Sequence, residues 1–113
     1  MEPKLSSDLL RGHTDTIVLA VLMNDDRYGL EIYNRILART EERYELKTDT
    51  LYSSYKRLEK DGCVTSYWGD ETQGGRRKYY HITDKGRELY YQNLLDWEFT
   101  QKIFSNLLKE ETQ

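Results

Sequence analysis

The 113-residue chain is acidic, with a net charge of −3, and carries ten tyrosines and one cysteine. That length predicts a single domain with a modest core, which a second copy would enlarge. No apolar run approaches the ~20 residues of a membrane span, the opening MEPKLSSDLL lacks the cationic start and apolar stretch of a secretory leader, and a lone cysteine forms no intrachain disulfide, which suits a reducing cytoplasm.

SSDLLRGHTDTIVLAVLMN reads as the first helix. Ser6, Ser7 and Asp8 offer capping oxygens, and Leu10, Ile17, Val18, Val21 and Leu22 recur at helical spacing. His13 is expected to cap or pack within it. YGLEIYNRILARTEERYEL reads as the second helix, with Ile32, Tyr33, Ile36 and Leu37 as its inward stripe.

KTDTLYSSYKRLEKDG reads as the third. Thr48 is positioned to cap it, and Gly62 to end it in the left-handed conformation. Leu51, Tyr55 and Leu58 share one face. Asp49, Ser53, Lys56, Arg57 and Lys60 take the opposite face, with Tyr52 on the flank.

The period then changes. Val64 to Trp68 and Lys78 to Ile82 are short, aromatic and β-branched, and a polar stretch with Gly69, Gly74 and Gly75 separates them. This predicts a β-hairpin with a long loop. Cys63 is expected as a small core residue, Trp68 as packing against the body, and Tyr80 with Ile82 as the inward strand face. From Thr83, which is suited to cap it, TDKGRELYYQNLLDWEFTQKIFSNLLKEE reads as one long helix. Tyr90, Leu94, Trp97, Phe104 and Leu108 form a near-heptad stripe interrupted by Gln101 and widened by Ile103 and Leu107. A partner chain is the natural cover for such a stripe.

Helix, helix, helix, hairpin, helix is the order of a winged helix-turn-helix followed by a dimerisation helix. The fold class is mainly α with a small β-hairpin, with residues 1–84 as the DNA-binding domain and residues 85–113 as the dimerisation helix packed on it. In that architecture the third helix enters the major groove and the wing lies along neighbouring phosphates. Residues 47–85 are the only net-basic third of the chain. Arg76, Arg77 and Lys78 start the returning wing strand, and Lys56, Arg57 and Lys60 lie on the outward face of the third helix, so both sets can meet one polyanion. Gly75, with Gly74, lets the backbone turn and approach a phosphate. Ser53, Tyr52 and Tyr79 supply hydroxyls, and Lys47 and Thr48 complete the candidate DNA-binding set. The acidic remainder repels DNA from the wrong faces.

GGRRKYYHITDKG (Gly74 to Gly86), with LYSSYKRLEKDG (Leu51 to Gly62) and YGLEIYNRI upstream, strongly resembles the PadR family of bacterial transcriptional regulators. The brevity of the final helix resembles the small subfamily. Ser53, Cys63 and His81 depart from its pattern, standing where proline, a bulky aliphatic residue and arginine are frequent. The resemblance implies a homodimeric repressor on a palindromic operator, released by a small, often aromatic, effector. It places Trp97 in a flat central slot at the dimer interface, with Leu94, Asp96 and Gln101 around it. A winged-helix module for protein–protein contact, without an operator, is the competing reading. His13, His81 and Cys63 have no metal-ligand spacing, and no nucleophile–base set is visible, so neither a metal, a cofactor nor enzymatic activity is expected.

Overall fold

Leu51, Tyr55 and Leu58 are all buried and form the pivot of the fold. The computed structural model describes residues 3–6, 8–69 and 75–111. The elements are α1 (Thr14–Val21), β1 (Arg27–Tyr28), α2 (Gly29–Arg39), α3 (Thr48–Lys60), β2 (Val64–Trp68), β3 (Lys78–Ile82) and α4 (Asp84–Leu108). Around α3 gather Val18, Leu19 and Leu22 from α1 and its end, Ile32 and Ile36 from α2, and Cys63, Val64, Tyr80 and Ile82 from the wing base. Tyr80 and Ile82 face inward, as their alternation predicts. Among the described residues, no helix is long and apolar enough to cross a membrane.

The three strands form one antiparallel sheet in the order β1-β3-β2. Val64 pairs with Ile82 and Trp68 with Lys78, as a hairpin requires, while Arg27 and Tyr28 pair with Tyr80 and Tyr79 on the other edge. The hairpin bounds match those predicted. Two-residue β1 is too short to carry a strand signature, and the sequence does not announce it.

The first helix is a correction. It begins at Thr14 rather than near Ser6 and Asp8, because Gly12 adopts φ +92° and breaks the path between the opening turns and α1. Ser7, the third capping candidate, lies outside the described residues. The second helix stops at Arg39 rather than running to Leu46. Glu41 and Glu42 both take positive φ, and the Thr40 hydroxyl caps the end by donating toward the carbonyls of Ile36 and Leu37. Thr48 is the first helical residue of α3 rather than its cap; Lys47 holds the cap position with no side-chain bond.

The other end of α3 follows the expectation. Gly62 adopts φ +78°, its N–H donates to the Glu59 carbonyl, and the Cys63 N–H donates to the Leu58 carbonyl. This paired pattern is the left-handed glycine stop. It also seats α4. The Thr83 N–H donates to the Cys63 carbonyl and its hydroxyl to the Gly62 carbonyl, while the same hydroxyl oxygen accepts from the Gly86 N–H at 3.1 Å. Thr83 is thus the cap predicted for α4.

Candidate nucleic-acid interface

Arg27 fixes the base of the wing. Its buried guanidinium donates through Nε to the Val21 carbonyl at 3.0 Å and lies 3.4 Å from both Glu31 and Asp25. A buried cation needs such partners, and these ones tie β1 to the end of α1 and the start of α2. Asp26, one residue earlier, accepts from the Tyr67 hydroxyl of β2 at 2.6 Å and stands 2.8 Å from His81 Nδ1 of β3. Partial burial raises the Asp26 carboxyl, but the bonds from Tyr67 and His81 and the charge of the imidazole outweigh it and hold it below its ordinary value. The same bond pushes the Tyr67 phenol up to about 12.

The three wing cations meet α3 at one place. Arg76, Arg77 and Lys78 line a shallow cleft of about 420 Å³ together with Tyr52 of α3, Tyr28 and Gly29, Trp68 and Tyr80. Arg76 lies 5.7 Å from the Trp68 ring centroid, Arg77 4.6 Å from that of Tyr28 and Lys78 5.8 Å from that of Tyr80. The planar guanidiniums therefore rest on aromatic faces. Lys78 also stands 3.8 Å from Glu59 of α3. Gly75 turns at φ +91°, a conformation that glycine tolerates. Gly74 lies outside the described residues.

Trp68 is a second correction. It is 57% exposed and carries Arg76 instead of packing against the body. Its strand alternates toward the cleft, which the neighbouring protein does not fill. Tyr79 is half-buried in a ring row, with Tyr67 stacked on it at 5.6 Å and Tyr28 edge-on at 5.5 Å.

Along α3, Lys47, Thr48, Tyr52, Ser53, Lys56, Arg57 and Lys60 are all exposed, as the helical period requires. Arg57 is nonetheless occupied. Asp15 of α1 accepts from its Nη2 at 2.6 Å and its Nε at 3.1 Å, and also accepts from the buried Ser54 hydroxyl. Sequence reasoning misses Asp15, since nothing in the spacing links residues 42 positions apart.

On α4, Trp97 packs edge-on against His13 at 4.9 Å, and Asn93 donates to the Thr16 hydroxyl at 2.8 Å. His13 thus occupies the cap position of α1 with its ring turned toward α4, and it makes no side-chain cap bond. Tyr90 and Leu94 are half-buried on the same helix. Leu94, Trp97 and Gln101 lie on one side of α4, with Gln101 exposed, while Asp96 points elsewhere and accepts from Gln92. Beyond Trp97 the helix carries Phe99, Ile103, Phe104, Leu107 and Leu108, all exposed.

A family model described as the transcriptional regulator PadR-like family matches residues 18–92. The fold is similar to a transcriptional regulator from Clostridium thermocellum, with 46% identity over 93% of this chain and 99% of that one and a TM-score of 0.85. It is also similar to a PadR family transcription regulator from Clostridium difficile, with 34% identity over 87% of this chain and 100% of that one and a TM-score of 0.75. An uncharacterized protein from Lysinibacillus sphaericus is 40% identical over 86% of this chain and 89% of its own length.

Proposed function

The chain belongs to the PadR-like family of transcriptional regulators, which bind DNA and are not enzymes, and on that premise we propose that it acts as a homodimeric repressor whose DNA affinity a small planar aromatic compound relieves. The observation that carries this reading is the single cleft where three wing cations meet Tyr52 of the recognition helix. Cations gathered there can neutralise successive phosphates and release their counterions, while the exposed face of α3 reads base edges in the major groove. Two such units related by a two-fold axis call for a palindromic operator.

Dimerisation is supported by the apolar half of α4. Phe99 is 65% exposed and Leu107 74% exposed, on a helix whose N-terminal half already has an intrachain neighbour in α1. An apolar face of that kind is covered by another chain, here a second copy. Trp97 and Leu94, near the point where the buried and exposed halves of α4 meet, are the residues a flat aromatic effector would touch, with Asp96 and Gln101 at the rim. A repressor of this kind works on bacterial DNA and so in the cytoplasm.

The testing experiment is a fluorescence-anisotropy titration on the duplex upstream of the protein's own gene, against a scrambled duplex, at two salt concentrations. A sequence-specific reader discriminates the two by ~4–10 kcal/mol and loses affinity steeply with salt. Weak, equal binding to both, with little salt dependence, would favour the winged-helix protein–protein module instead.

A further inference from the structure

Asp26 lies at one end of a continuous line of contacts whose other end is a wing arginine. Its carboxylate takes the Tyr67 hydroxyl at 2.6 Å. The Tyr67 ring stacks on Tyr79 with planes 11° apart, and Tyr79 meets Tyr28 edge-on at 77°. These three rings are cross-strand partners in the register of β2, β3 and β1, so the sheet itself aligns them. Tyr28 then carries the Arg77 guanidinium at 4.6 Å from its centroid. The line is anchored rather than floating. Arg27, between Asp26 and Tyr28, is buried and held by the Val21 carbonyl. His81 adds a second bond from β3 to Asp26, so one carboxylate grips both wing strands.

We propose that Asp26 is a positioning residue for DNA recognition, acting through Tyr67, Tyr79 and Tyr28 to fix the direction in which Arg77 presents its guanidinium. A long arginine side chain loses rotamer freedom when DNA pins it. A ring that pins it before DNA arrives removes part of that cost from binding. Asp26 touches no DNA in this scheme. The proposal rests on the reading of the wing as a DNA contact, and the test separates the two.

The probe is a fluorescein-labelled mixed-sequence duplex at low salt, where phosphate contacts alone give measurable binding. Four proteins are compared: wild type, Arg77→Ala, Asp26→Asn and the double variant. Arg77→Ala should weaken binding several-fold and flatten the salt slope by roughly 0.9 for the one phosphate it no longer neutralises. Asp26→Asn should weaken binding in the same direction. That sign is diagnostic, because removing a negative charge near the wing would by simple electrostatics strengthen binding to a polyanion. The double variant should be no weaker than Arg77→Ala alone, since the two residues act on one contact.

Tyr67→Phe deletes only the hydroxyl and keeps the ring, so it repeats the Asp26 test where Asp26→Asn itself unfolds the chain; Asp26→Glu should restore part of the affinity. An unchanged affinity in Arg77→Ala would overturn the wing contact and the proposal with it. Weaker binding by Arg77→Ala, with wild-type binding by Asp26→Asn or Tyr67→Phe, would overturn the positioning role alone. Additive losses in the double variant would also overturn it, because Asp26 would then act independently of Arg77.

Discussion

The Asp15 carboxylate of α1 holds Arg57 of α3 through both oxygens, Oδ1 accepting from Nη2 at 2.6 Å and Oδ2 from Nε at 3.1 Å, and Oδ1 also accepts from the Ser54 hydroxyl. The exposed ion pair contributes little by itself. Ser54 differs, being fully buried. Asp15→Ala leaves that hydroxyl with no acceptor, at a cost of about 1–3 kcal/mol. Urea denaturation should report a loss in that range. Arg57→Ala should disturb the salt dependence of DNA binding less than Lys56→Ala, because Asp15 already neutralises the arginine. A larger slope change for Arg57 than for Lys56 would mean that DNA displaces Asp15.

Much of this architecture was legible in the sequence where the signal is local. Leu51, Tyr55 and Leu58 share one face, Gly62 and Thr83 mark helix ends, and the strand bounds follow the change of period. Two things escape the sequence: backbone breaks at Gly12 and at Glu41 and Glu42, which shift the ends of α1 and α2, and contacts between residues distant in the chain. Asp15 with Arg57 and Trp97 with His13 have no spacing that announces them. Gly86 belongs with these. A Cβ there would lie 2.1 Å from the Cys63 carbonyl oxygen, so the glycine of the TDKG run marks the close approach of α4 to the end of α3. Trp68 was misplaced for a related reason: alternation gives the side of a strand, and here that side opens on the cleft.

Arg76 and Arg77 are both exposed at the start of the returning strand, each on an aromatic ring. Replacing both with alanine should lower the slope of log affinity against log salt by roughly 0.9 for each phosphate left without its cation. The measurement is anisotropy across a salt series, with circular dichroism to establish that the variant is folded. An unchanged slope in the folded variant would take the wing out of the interface.

The Asp26 carboxyl has a direction of shift that fixes a pH dependence. Its folded value is held below the ordinary one by Tyr67 and His81, against the raising effect of burial. The folded state therefore binds its proton less readily than the unfolded chain does. This contribution is fully present above the unfolded value of about 3.9 and is lost as pH falls through the lower, folded value. The stability difference between wild type and Asp26→Asn, from urea titrations over an acid pH series, should shrink as pH falls below ~5. A difference that grew on acidification would contradict the sign.

Trp97 stands edge-on to His13 where α4 crosses α1, and is half-buried there. Trp97→Ala should abolish binding of planar aromatic compounds, followed by calorimetry because the variant removes one of the two tryptophan reporters. DNA affinity should stay close to wild type, since the site is on a different element from the wing and α3. Undiminished binding of those compounds would move the effector site away from Trp97.

The exposed end of α4 makes the dimer testable without DNA. Phe104 and Leu107 lie three residues apart, on the same side of the helix, and are 59% and 74% exposed. In a dimer they would be buried against the partner, and a glutamate at either position would put a charge into an apolar contact at heavy cost. Phe104→Glu and Leu107→Glu should each shift sedimentation equilibrium from dimer toward monomer. The monomer should also bind a palindromic duplex far more weakly, because the two half-sites no longer share one linked protein. A variant that stays dimeric would show that another face joins the subunits. Dissociation with undiminished binding to the duplex would instead separate assembly from DNA recognition.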